Sequence, residues 1–315
     1  MNWITKAINF GQKIKKVLKK RLTKEEINSG QFTSCCIGPI EKSKLIENFY
    51  QCPDCSKTFP ISPKMRFDSL FGANNYEIIN TPSVSDEDIL KWKDVSGKYI
   101  DKLNATKKKT GMNCSIMVAE GTLSKDLDVV AVCSEFKFFG ASISMNEGEA
   151  ILYACSKSIE KRIPLVLFVQ GGGMKMQTGM HSLYQMPRTV LGISEVKSHN
   201  IPVICVVDSV VSGGISASYA SIGDFLIYEG KKSKLMFAGP RVIQGTISSG
   251  SLPENFQESS FNIDHGFGDF VIEKRIDTKN TLVKLLNILL KIDTSVSSIS
   301  ADETSELNIK TREAS

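Results

Sequence analysis

Two apolar runs dominate the hydrophobic pattern of the chain, Pro164-Leu-Val-Leu-Phe-Val169 and Ile201-Pro-Val-Ile-Cys-Val-Val207. Continuous, largely β-branched runs of this length, bounded by Gly and Pro, predict strands buried on both faces. Each runs into glycines. The first continues through Gln170 to Gly171-Gly172-Gly173 and Met174-Lys-Met-Gln-Thr-Gly-Met180, then a helical segment to Lys197. The second continues through Asp208-Ser-Val-Val-Ser212 to Gly213-Gly214 and Ile215-Ser-Ala-Ser-Tyr-Ala220.

The pattern repeats on either side. Strands are predicted at Ser115–Glu120 and Leu127–Cys133 around a turn at Gly121–Asp126, then Glu135-Phe-Lys-Phe-Phe-Gly140 and a helix over Glu147–Lys161. Downstream lie strands Phe225–Tyr228 and Lys234–Phe237, and a strand-to-helix junction at Ala238-Gly-Pro-Arg-Val-Ile243 with Pro pre-setting the helix start. A loop and short helix over Leu252–Ile263, a last turn and strand over Gly266–Ile272, and an apolar helix over Thr281–Ile292 complete the series. Upstream, Ser85–Thr110 reads as helix. Pro60–Asn80 shows little periodicity, with Phe67, Leu70, Phe71 and Tyr76 as satellite packing. The repeated strand, glycine turn and helix predict an α/β fold. Beyond Asp293 the Ser, Thr and Glu content predicts a disordered tail, residues 293–315.

A glycine pair where a strand enters a helix leaves main-chain N–H groups unshielded by any Cβ, and the helix start adds the positive end of its dipole. That combination suits an anion or a developing oxyanion. Gly172, Gly173, Gly213 and Gly214 are therefore candidate catalytic positions, their two turns about forty residues apart and able to converge on one carbonyl. Two tight βα turns that need glycine only for packing are the other reading.

Composition changes the picture at the N-terminus. The 315 residues are 41% hydrophobic and 23% charged, as in globular chains. The formal charge is +5, yet residues 1–24 hold eight basic side chains and no acid, which leaves −3 for the remainder. Ile4, Ile8, Gly11, Ile14, Leu18 and Leu22 recur at helical spacing, so 1–26 reads as a basic amphipathic arm. Such an arm suits nucleic acid, a membrane surface, a presequence, or packing on a partner subunit. No apolar run approaches the roughly 20 residues that span a bilayer, and no signal-peptide pattern is present, which predicts a cytoplasmic chain.

Of eight cysteines, Cys114, Cys133, Cys155 and Cys205 sit in apolar surroundings and read as reduced core thiols. Cys35, Cys36, Cys52 and Cys55 cluster within 27–60. Cys52-Pro-Asp-Cys55 has the spacing of a zinc knuckle. Cys36 lies where a third thiolate belongs, but Thr33 stands where the fourth is expected, and Cys35 can serve only in a rebuilt knuckle. The readings are a weakly held zinc or a small ribbon that survives by packing on the body.

The ribbon ending Cys-Pro-x-Cys, Glu135-Phe-x-Phe-x-Gly140, Gly172-Gly173, Met176-Gln177, Gly213-Gly214-Ile-Ser-Ala-Ser218, Phe237-Ala-Gly-Pro-Arg-Val-Ile243 and Leu252-Pro-x-x-Phe-Gln257 occur in one order. Together they resemble the β subunits of bacterial acetyl-CoA carboxylase carboxyltransferases, over residues 1–292 including Trp3-Ile4. The resemblance implies a crotonase-like fold of repeated β-β-α units over 61–292, behind a zinc-ribbon-like module at 27–60. It implies transfer of a carboxyl group from carboxybiotin, held on a separate carrier protein, to acetyl-CoA, giving malonyl-CoA for fatty acid synthesis. It implies an α subunit in an α2β2 assembly, a biotin carboxyl carrier protein and a biotin carboxylase as partners. Gly172 and Gly173 fall on the family's acyl-CoA oxyanion glycines, and Gly213 and Gly214 on its second turn. Biotin freed of its carboxyl group can take the proton, so His181 reads as a polar helix residue and not a base.

Gly171-Gly-Gly-Met-Lys-Met-Gln-Thr178 departs from the family's Ser-Gly-Gly-Ala-Arg-Met-Gln-Glu. Lys175 lacks the bidentate fork of Arg, and a third glycine is expected to loosen the turn. A paralogue acting on another acyl-CoA, and a non-catalytic subunit binding nucleic acid or an acidic partner through the arm and ribbon, are the alternatives.

Overall fold

The computed structural model describes residues 32–35, 38–84, 87–246 and 252–292. The basic arm 1–26, Cys36 and the tail 293–315 lie outside the described residues.

A small module leads. Strands β1 (Phe32–Ser34) and β2 (Pro39–Glu41) pair antiparallel with Thr33 opposite Ile40, and helix α1 (Lys42–Glu47) follows. Helix α2 (Pro63–Phe71) starts at an N-cap, Ser62, whose hydroxyl accepts the Met65 N–H, with Pro63 at its first position. Next come β3 (Tyr76–Ile79), a hairpin of β4 (Lys93–Asp94) and β5 (Gly97–Lys98), and α3 (Tyr99–Thr110). The body continues as β6 (Ile116–Ser124), β7 (Leu127–Ser134), α4 (Met145–Lys161), β8 (Leu165–Gly171), α5 (Met180–Leu183), α6 (Gln185–Ser198) and β9 (Val203–Ser212). It closes with β10 (Phe225–Glu229), β11 (Lys234–Met236), α7 (Pro240–Thr246), α8 (Ser259–Asp264), β12 (Phe270–Ile272) and α9 (Thr278–Leu290).

The central sheet runs β12-β10-β9-β8-β7-β6-β3. Its pairs from β7 to β12 are parallel, while β6 pairs antiparallel with β7 and β3. Strand β9 serves two neighbours on the edge away from β8: Ile204–Val207 pair with β10, and Val210–Ser212 pair with β11. The apolar runs alternate between two cores, as a two-sided strand must. Leu165, Leu167 and Val169 face one core with Val203, Cys205 and Val207; Val166 and Phe168 face the other with Ile204 and Val206. The first core is covered by α4 and α6 and the second by α2 and α9.

Several expectations change. The β6–β7 turn is tighter than Gly121–Asp126, because Gly121 and Thr122 stay paired and Asp126 alone takes a positive φ of 62°. Of the helix expected over Ser85–Thr110, only Tyr99–Thr110 forms among the described residues, since Asp94 accepts the N–H of Ser96 and closes the β4–β5 turn instead. Phe67, Leu70 and Phe71 are no satellite but part of the second core. Cys114, Cys133, Cys155 and Cys205 are buried, unpaired thiols, as read from their surroundings. Burial pushes Cys114, Cys155 and Cys205 up to about 12. No helix among the described residues is long and apolar enough to cross a membrane.

Candidate active site

Because β8 and β9 are adjacent and parallel, their glycine turns leave the sheet at the same end, where open α/β sheets bind ligands. The turns touch main chain to main chain. A Cβ on Gly213 would stand 3.6 Å from the Gly173 Cα, and one on Gly173 would stand 3.4 Å from the Ser212 carbonyl oxygen. Both residues hold positive φ, 112° at Gly173 and 62° at Gly213, which L side chains rarely adopt.

The four candidate glycines do not offer four free donors. Gly172 N–H donates to Gly140 O at 2.9 Å, and Gly213 N–H donates to Met236 O and Phe237 O, both at 3.1 Å. Among the described residues nothing accepts from the N–H groups of Gly173 and Gly214. The structure thus separates two glycines that brace the turns from two whose donors are unused. Nor is the third glycine slack. Gly171 carries φ of 152°, and a Cβ there would meet the Ala141 carbonyl oxygen at 2.6 Å.

Lys175 does not reach toward a substrate. Its ammonium is buried, 3.1 Å from Glu147 Oε1 and 5.6 Å from the Phe138 ring centroid. Glu147 also accepts the main-chain N–H groups of Ser115 and Ser144. Burial alone would raise that carboxyl, but Lys175 and the two N–H groups outweigh it and hold Glu147 below the usual range. Lys175 N–H donates to Ile143 O, and Ile143 N–H to Gly173 O. The first glycine turn is thereby bolted to the start of α4. His181 is exposed, with Nδ1 3.3 Å from Thr178 O, as expected of a polar helix residue.

Beside the second turn lies a cleft of about 480 Å³ walled by Ser216, Ala217, Leu235, Phe237, Phe256 and Phe261, among others. Met236 O accepts both Gly213 N–H and the Ser216 hydroxyl, so the β11 wall and the glycine turn form one unit. On the α5–α6 side, Met176, Met180, Leu183, Tyr184 and Leu191 are exposed apolar side chains, Met176 at 70% and Leu191 at 69%.

The sulfur atoms of Cys35, Cys52 and Cys55 lie within 4.8 Å of one another. It is Cys35, expected to be the awkward ligand, that joins the knuckle; Thr33 is held in β1 by its pairing with Ile40. The module is docked on the body by two side chains. Gln51 donates to Glu273 O at 2.6 Å and accepts Arg275 N–H at 2.9 Å. The Arg275 guanidinium donates to Phe49 O at 3.0 Å, Phe59 O at 2.8 Å and Glu229 Oε2 at 2.6 Å, and to Asp208. Arg66 completes a buried quartet, bidentate to Glu229 and 3.1 Å from Asp208 Oδ2.

Sequence reasoning missed the Lys175–Glu147 pair and this quartet. Ser144-x-x-Glu147 had the spacing of a capping box, which was the available signal for Glu147. The quartet joins residues from 66 to 275, and no local pattern marks it.

The carboxyl transferase domain family matches residues 86–309. The acetyl-coenzyme A carboxylase carboxyl transferase subunit beta of Pelagibacter ubique is 46% identical over 306 residues, 97% of each chain. That of Bartonella bacilliformis is 39% identical over 292 residues, 92% of each chain. Among solved structures, a transcarboxylase 12S crystallised with methylmalonyl-coenzyme A superposes with a TM-score of 0.57 at 16% identity, over 78% of this chain and 42% of that one. A Pseudomonas malonate decarboxylase MdcD–MdcE hetero-dimer gives 0.53 at 16% identity, over 71% of this chain and 85% of that one. The structural likenesses carry the fold, a mixed α/β architecture around a central sheet.

Proposed function

The chain belongs to the family of acetyl-coenzyme A carboxylase carboxyl transferase beta subunits, and from that premise we propose that its two touching glycine turns hold the thioester enolate of acetyl-CoA during carboxyl transfer. The observation that carries this is the pair of unengaged N–H groups at Gly173 and Gly214, on turns whose main chains touch. Removing a methyl proton next to a thioester places negative charge on the carbonyl oxygen, and fixed donors there stabilise the transition state more than the ground state. One such donor contributes about 3–4 kcal/mol in other oxyanion holes. Gly172 and Gly213 act through their own hydrogen bonds, fixing the donors next to them. Carboxybiotin, on a separate carrier, supplies the carboxyl group and then an acceptor for the proton. This chain's part is to bind, orient and stabilise the thioester.

The fold reads as crotonase-like, with β6, β7 and α4 as one β-β-α unit, behind a ribbon-like module. Cys35, Cys52 and Cys55 suit zinc by donor type and mutual distance. The ion would add to a module whose own core is the small cluster of Cys35, Ile40, Leu45 and Cys52. The exposed apolar side chains from Met176 to Leu191 suit a homologous α-type subunit in an α2β2 assembly, which in turn meets the biotin carrier and biotin carboxylase.

The test is reconstitution of the chain with an α-type subunit and a carboxylated biotin carrier, following malonyl-CoA formation. Carboxyl transfer lost on Gly173→Val but kept on His181→Ala is expected. A complete assembly that carboxylates no acyl-CoA overturns the reading.

A further inference from the structure

The cleft beside the second glycine turn holds one polar feature that its apolar walls do not explain. Gln257 lines it, and its side-chain oxygen is buried without a hydrogen-bond partner among the described residues. Buried acceptors in native structures are almost always satisfied, so an orphan asks for a donor. The Gln257 backbone is also held in the left-handed region, at φ of 61°, where a non-glycine residue stays only if its surroundings fix it. They do. Asn262 Nδ2 donates to Gln257 O at 3.1 Å and to Leu235 O at 3.0 Å, and the next residue, Glu258, pairs with Lys234. The side chain is thus carried at a set place on the cleft wall.

The occupant must bring an N–H or O–H donor on an otherwise apolar body, and must continue to the thioester at Gly214. A plain acyl tail has no donor and would leave Gln257 buried and unpaired. A phosphate or nucleotide wants cations, and no charged side chain is among the walls of the cleft. The pantetheine arm of an acyl-CoA meets both demands, with two amide N–H groups between methylene and methyl groups. We propose that Gln257 is a specificity residue for the pantetheine arm, its side-chain oxygen accepting one amide N–H while Phe237, Phe256, Phe261 and Phe267 pack on the apolar part. The assignment rests on the acyl-CoA reading above.

The test uses the assembled carboxyltransferase with acetyl-CoA and two analogues, each with one pantetheine amide replaced by an ester and so lacking one N–H. For the wild type, KM rises about tenfold for one analogue with kcat within twofold, the scale of one lost buried hydrogen bond. Gln257→Met raises the KM for acetyl-CoA to that level and no longer separates the two substrates, so the protein–substrate cycle closes. Equal KM for all three substrates in the wild type overturns the assignment even if the variant does not fold. A Gln257→Met enzyme that still discriminates overturns it as well. An assembly that turns over no acyl-CoA at all overturns the functional reading instead.

Discussion

The main chains of Gly173 and Gly213 lie in contact, with no side chain between them: a Cβ placed on either would stand 3.6–3.7 Å from the other's Cα. Two turns separated by α5, α6 and β9 are thereby made into one rigid unit, whose Gly173 and Gly214 N–H groups have no acceptor among the described residues. Gly173→Val and Gly213→Val each force a β-branched residue to a positive φ and wedge the turns apart. Turnover is expected to fall by about two to three orders of magnitude, the scale of a lost oxyanion donor. His181→Ala should change it only a few-fold. Equal damage from His181→Ala would show that a side-chain base is required.

Lys175→Met is expected to destabilise the chain by about 3–5 kcal/mol, because it leaves Glu147 charged, buried and uncompensated. The pH dependence should invert. In the wild type the Glu147 carboxyl is held below its ordinary value of 4.5. Its contribution is therefore complete above that value and is lost as pH falls through the lower folded value. In the variant the folded value rises, so stability is lost as pH climbs instead. Thermal melts between pH 3 and pH 8 read both trends. Parallel curves for the two proteins would refute the pairing as the cause.

Zinc in the ribbon is expected to be labile, because the described cluster supplies three thiols where a structural site wants four. Elemental analysis after dialysis against a mild chelator should show its loss, while the main melting transition stays, since Arg275 and Gln51 hold the module in place. Cys35→Ser should lower zinc uptake as much as Cys52→Ser. One tightly held zinc per chain that persists in Cys35→Ser would place the ligands elsewhere.

Leu191→Asp and Tyr184→Asp should prevent association with the α-type subunit without moving Tm, because both side chains are exposed in the isolated chain. Light scattering reads the assembly. A monodisperse wild-type monomer with full transferase activity would contradict the need for a partner.

What was legible in the sequence was whatever rests on contiguous residues. The runs ending at Val169 and Val207 announced β8 and β9, and their glycines announced the turns. The length and chemistry of Pro63–Phe71 were not legible, because its apolar face is spread among polar positions and only the folded core gathers it. The four glycines were equivalent by sequence. Only the carbonyls of Gly140, Met236 and Phe237, brought in from two other segments, divide them into braces and donors. Lys175 reads in the sequence only as an Arg replacement without the bidentate fork, because its partner Glu147 lies on a different element.

The Arg275 guanidinium also sets an order in time. Its contact with the Phe49 carbonyl spans 226 residues. At about 5–20 residues per second, synthesis of that interval takes about 10–45 s. Until Arg275 emerges, the early module lacks its guanidinium contacts to Phe49 O and Phe59 O, and Asp208 and Glu229 share Arg66 alone. Completion of this architecture is therefore a late event on the ribosome, fixed by the C-terminal end of the body. Chains halted before residue 275 should be cut by protease within 32–60, and chains halted after α9 should resist; equal resistance would remove Arg275 from that role.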